Sequence, residues 1–157
     1  ERLVELYRRR VELADSGEDD LKYSLLSRAA ETFEKELSNR GEAILALREA
    51  LDVRANDKAA LRGLDRLFRA EEQWPDLLEN LRLEVANASS NEERVELQRS
   101  IGDLFREKLN DAPEALEAYR LVLDIAATDE ASGDVDDDDS AGPFDDEIVH
   151  TGGCLVG

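Results

Sequence analysis

Methionine is absent from this chain of 157 residues, and cysteine, histidine and tryptophan occur once each. One cysteine excludes an internal disulfide and agrees with a reducing, cytoplasmic setting. Aromatic residues make up 5%, too few for the aromatic and β-branched alternation of a sheet protein. No run approaches the roughly 20 apolar residues of a membrane-spanning helix, and no basic-then-apolar leader opens the sequence. An excess of cations is missing as well. Ten of the 39 acids fall at 128–157, which has no Lys or Arg, leaving 29 acids against 20 bases, a net of −9, at 1–127. Such a field repels phosphate, so neither nucleic acid nor an anionic membrane is an expected partner.

What is present is helix-forming sequence. Charged residues account for 38%, and Ala, Leu, Glu and Arg dominate, as in an all-α protein. Apolar residues recur at helical spacing in nearly every segment up to residue 127, for example Leu3, Val4, Tyr7, Val11 and Ala14 on one face. The pattern predicts seven helices separated by short breaks, hence antiparallel neighbours. The breaks carry their own signals. "SGEDD" offers N-caps for the second helix, Asn56 or Asp57 for the fourth, and Ser or Asn near residue 90 for the sixth. Pro75 and Pro113 stand in first helical turns, where proline is tolerated. Trp74, ahead of Pro75, reads as a hydrophobic staple rather than a surface anchor.

The segments repeat. "FEKELSNRGEAILALREALD" at 33–52 lies over "FREKLNDAPEALEAYRLVLD" at 105–124, an offset of 72 that matches Phe33 with Phe105, Ala43 with Ala115 and Arg48 with Arg120. "LVELYRRRVELA" at 3–14 likewise matches "LLENLRLEVANA" at 77–88. A fixed period with one helix pair per unit is the mark of a helical solenoid.

On these residues the chain resembles the tetratricopeptide repeat family. One unit carries Gly102, Phe105, Ala115, Tyr119 and Val122 at the family's small and large positions, and another carries Ala30, Phe33, Ala43, Leu47 and Ala50. Small side chains let the paired helices approach, and large ones fill the groove between them. The helix-ending proline is missing from both units, and the middle unit around residues 61–84 is degenerate. The resemblance covers residues 1–127. It implies a right-handed solenoid of antiparallel helix pairs, whose first helix is expected either to pair with a segment ahead of Glu1 or to cap the array.

The chemistry of the helical part is sparse. It has no His and no Cys, and no glycine-rich loop follows a strand to cradle a phosphate. Neither a catalytic group, a cofactor nor a metal site is therefore expected. The family resemblance implies instead a non-enzymatic scaffold that holds a peptide or partner helix on a concave face. Arg28, Arg62, Arg66, Arg99 and Arg106 are its candidate contacts, because guanidinium groups there favour a carboxylate-bearing partner.

Residues 128–157 read as an acidic tail or linker. Asp136 to Asp139 lack the alternating spacing of a calcium loop. The segment is a candidate for docking on the arginine-bearing face of its own array. Cys154, within "EIVHTGGCLVG", is the candidate modification site. An alternative reading makes the chain a carrier whose Gly/Cys end is modified by a partner enzyme, or a regulatory fragment of a larger multidomain enzyme.

Overall fold

A computed structural model describes residues 2–13 and 17–133. Most of the acidic tail, Cys154 and the self-docking expectation lie outside the described residues. Among those described, the chain folds into seven α-helices: α1 (Arg2–Leu13), α2 (Asp19–Lys35), α3 (Arg40–Val53), α4 (Lys58–Ala70), α5 (Trp74–Ala86), α6 (Asn91–Leu104) and α7 (Ala112–Gly133). A π-helical turn, Phe105–Leu109, closes α6. No described helix is long and apolar enough to cross a membrane.

Local sequence accounts for most boundaries. Asn39 caps α3 by accepting from the Glu42 amide at 3.2 Å, Asp57 caps α4 through the Ala60 amide at 2.8 Å, and Ser90 caps α6 through the Glu93 amide at 3.2 Å. Each such cap contributes about 1 kcal/mol. Two boundaries differ from expectation. In "SGEDD" the aspartates do not cap: Asp19 and Asp20 form the first turn of α2, where carboxylates suit the positive end of the helix dipole. At the other end α7 runs past residue 127 to Gly133, because "IAATDEAS" contains neither proline nor glycine to stop it.

Each helix packs on the next along the chain, from α1 on α2 through to α6 on α7. The core runs through these interfaces as one cluster, with Phe33, Phe68 and Phe105 set among Ala43, Ala46 and Ala118. Burial of each phenylalanine contributes about 1.5–3 kcal/mol.

Those three phenylalanines also mark a recurring turn. After α2, after α4 and after the π-helical turn, one residue takes a left-handed conformation: Ser38 at φ 51°, Glu72 at 54° and Asn110 at 57°. The following amide then donates to the phenylalanine carbonyl, Asn39 to Phe33 at 2.8 Å, Gln73 to Phe68 at 2.9 Å and Asp111 to Phe105 at 2.9 Å. This satisfies a helix-end carbonyl as a Schellman-type closure does. The middle unit, degenerate in sequence, makes the same turn as the other two.

Side-chain pairs then link alternate helices. Arg66 on α4 donates twice to Glu34 on α2, at 3.1 and 2.6 Å. Lys58 on α4 holds Glu93 on α6 at 2.8 Å. Arg8 on α1 pairs with Glu42 on α3, and Arg48 on α3 with Asp76 on α5. These four pairs tie even helices to even ones and odd to odd, while Arg54–Asp20 and Arg40–Glu71 join the two ends of α3 to its neighbours α2 and α4. Within single helices, Arg69 pairs with Asp65 at i,i+4, and Arg106 with Asp103 and Arg120 with Glu117 at i,i+3.

Candidate functional site

Among the described residues, no three His, Cys, Asp or Glu side chains gather as a metal-ligand set. What the helices do present is a surface of arginines set against carboxylates.

The five arginines singled out from the sequence have different surroundings. Arg62 and Arg66 stand one turn apart on α4, both exposed, and reach in opposite directions. Arg66 grips Glu34 of α2, while Arg62 meets Glu93 of α6 at 3.4 Å. Arg28 lies exposed on α2 and makes no ion pair among the described residues. Arg99 lines a shallow groove of about 390 Å³ between α6 and α7, beside Val95, Glu96 and Ile125. Arg106 sits in the π-helical turn, over the Tyr119 ring at 5.9 Å and paired with Asp103 and Glu107. Arg62 and Arg66 thus belong with the α2–α4–α6 surface, and Arg99 and Arg106 with the α6–α7 junction.

Glu93 is the hub of the first surface. Its carboxylate accepts from Lys58 Nζ, from the Ser89 amide at 2.8 Å and from the Ser89 hydroxyl at 3.0 Å. The Lys58 ammonium first, then the two Ser89 donors, hold its pKa down at about 2. Glu84 on α5 behaves oppositely. Burial, and then the nearby Asp65 carboxylate, push its pKa above the ordinary glutamate value. Beside it, buried Asn80 donates to both the Leu61 carbonyl of α4 and Glu84 Oε1, each at 2.9 Å. That amide locks α5 onto α4, since an unpaired buried amide would cost about 1–3 kcal/mol.

The odd helices carry a second arrangement that the sequence reading did not single out. Arg8 lies over the Phe33 ring at 5.4 Å while pairing with Glu42, and Arg48 lies over Phe68 at 5.3 Å while pairing with Asp76. Each guanidinium is clasped between the ring that ends one helix and the acid that opens the next. Such cation–π contacts are worth about 0.5–1 kcal/mol at exposed sites. The signal was present in the internal repeat. Arg82 aligns with Arg8 and Arg120 with Arg48, so every odd helix has an arginine at this register.

The third clasp is open. Arg82 on α5 has Phe105 and Glu114 within the same groove, of about 280 Å³, but makes no ion pair among the described residues. The floor of this groove is apolar, with Val85, Ile101 and Ala118. Tyr119 stays clear of it and is held elsewhere. Its hydroxyl donates to Asp103 at 2.7 Å, and its ring lies against Gly102, where an added Cβ would approach Cε1 to 2.6 Å. The bond to Asp103, then burial, raise its pKa above the usual tyrosine value.

Compared with family models, with curated proteins and with solved structures, the chain matches none.

Proposed function

We propose that this chain is a non-enzymatic interaction scaffold, a solenoid of tetratricopeptide-like helix pairs that holds an acidic peptide or partner helix. The recurring helix-end turn carries the repeat reading. Three times a phenylalanine carbonyl is closed by the amide that follows a left-handed residue. Ion pairs between alternate helices support it further, because stacked helix pairs bring every second helix into one row. Even helices would then line one face and odd helices the other.

On the even face, Arg62 and Arg66 have exposed side chains already satisfied by carboxylates of neighbouring helices, Glu93 and Glu34. An incoming carboxylate would exchange with these at little net cost, since exposed ion pairs are worth about 0–1 kcal/mol. Arg28 adds a guanidinium without an intramolecular acid among the described residues. Arg99 and Arg106 would meet a ligand only where it reaches the α6–α7 junction.

A fluorescent peptide with the sequence of residues 134–147, "DVDDDDSAGPFDDE", is the probe. It is titrated against the full chain and against a chain ending at Gly133. The shorter chain should bind it at least as tightly, salt should weaken binding, and Arg62→Glu with Arg66→Glu should abolish it. Absence of binding to both chains, or binding indifferent to the charge reversal, would refute the acidic-ligand reading.

A further inference from the structure

At the offset of 72, Leu116, Arg120 and Leu123 of α7 stand where Ile44, Arg48 and Leu51 stand on α3. Spaced i, i+4 and i+7, each trio forms one helix face. On α3 that face is turned toward α4 and α5, because Arg48 touches Phe68 and Asp76 there. Ile44 is accordingly 5% exposed, and Leu51 packs against the core. On α7 the same face has nothing described beyond it. Leu116 is 57% and Leu123 69% exposed, and among the described residues Arg120 pairs only with Glu117, within its own helix. Two large leucines at positions that are elsewhere covered mark a docking face.

The opposite end of the molecule offers a matching concavity. Between α1 and α2 lies a groove of about 650 Å³ with an apolar lining, including Leu6, Leu13, Leu21 and Leu25. Leu6 is 63% and Leu13 73% exposed. Arg9, Arg10 and Glu18 line the groove too, and neither arginine makes an ion pair among the described residues. On α7, Glu117 and Asp124 flank the leucine face, and both are exposed. Leucines then face leucines, and the net charges are opposite: Arg9 and Arg10 against one acid, Glu18, in the groove, and Glu117 and Asp124 against one base, Arg120, on the α7 face.

We propose that the chain associates end to end, the Leu116–Leu123 face of α7 in one copy seating in the α1–α2 groove of a second copy. The two surfaces differ, so the contact is heterologous and leaves a free face and a free groove at the ends of every assembly. This is independent of peptide binding on the even face, which uses other residues.

Sedimentation velocity of the full chain over a concentration series reads the assembly directly. The mean mass should rise with concentration beyond that of a dimer, and added salt should lower it. Leu116→Lys with Leu123→Lys should give monomers, and so should Leu6→Lys with Leu13→Lys. Mixing the two variants should restore association but stop at a 1:1 pair, since only one intact face and one intact groove remain. Charge reversal of exposed residues guards against misfolding as an explanation. Arg9→Glu with Arg10→Glu should weaken assembly, and adding Glu117→Lys with Asp124→Lys should restore it. A wild-type chain that stays monomeric overturns the proposal. So does assembly that survives loss of the groove, which would point to α7 pairing with α7, or a mixture that fails to form pairs.

Discussion

Replacing Gly102 by alanine tests the closest helix approach around Tyr119. A Cβ built there would lie 2.6 Å from Cε1 of Tyr119 and 2.9 Å from both Cδ1 and Cζ. The ring is poorly placed to retreat. Its hydroxyl is bonded to Asp103 and Arg106 lies over one face. Overpacking a held group costs about 1–3 kcal/mol. Against this, alanine in place of glycine inside a helix gains about 1 kcal/mol of propensity. The net is about 0–2 kcal/mol of destabilisation. Gly63 is the internal control. A Cβ there meets Leu47 Cδ1 at 2.8 Å, but that methyl is the far end of a flexible side chain, with no hydrogen bond to hold it. Gly63→Ala should therefore be neutral or stabilising by up to about 1 kcal/mol. Urea unfolding of Gly102→Ala, Tyr119→Leu and the double variant completes the argument. The clash should vanish once the ring is gone, leaving a coupling of about 1 kcal/mol or more. Additive effects, or a Gly102→Ala variant more stable than wild type, would show that the ring does not hold the two helices at contact distance.

Two further outcomes follow from the described geometry. Glu93 titrates at about 2 in the fold against an ordinary 4.5, so the unfolded chain takes up its proton first as the pH falls. Its stabilising contribution is complete above pH 4.5 and is lost between 4.5 and about 2. Acid unfolding of Glu93→Gln should be flatter than wild type across that window; parallel curves would refute the Lys58 and Ser89 contacts as its cause. Separately, Glu72 holds φ at 54° without being glycine, a conformation that costs an L-residue about 1–2 kcal/mol. Glu72→Gly should raise stability by up to about 1 kcal/mol in urea unfolding, and a loss would mean that the side chain contributes more than the turn costs.

Much of the architecture was legible locally. Caps at Asn39, Asp57 and Ser90 act through amides three residues away, and such short-range bonds are written in adjacent letters. The repeat was legible for the same reason, as recurrence of side-chain size. The widening of α6 into a π-helical turn was not, since "FREKL" has an ordinary helical pattern. The ion pairs between helices were not legible either. Arg66 has acids near it in sequence, yet it binds Glu34, because its direction is set by how α4 lies along α2. The arginine clasps needed both facts together, a register visible in the repeat and a ring brought to it by packing.

By itself, the sequence determined seven helices, most of their boundaries and the offset of 72 that relates them, since hydrophobic periodicity and capping act within a turn or two. Tertiary structure alone decided what each face meets. Ile44 and Leu116 occupy the same register on closely similar segments, yet one is buried and the other bare. Local pattern assigns a residue to a face of its helix. Burial depends on whether another helix lies across that face, and for α7 none of the described helices does.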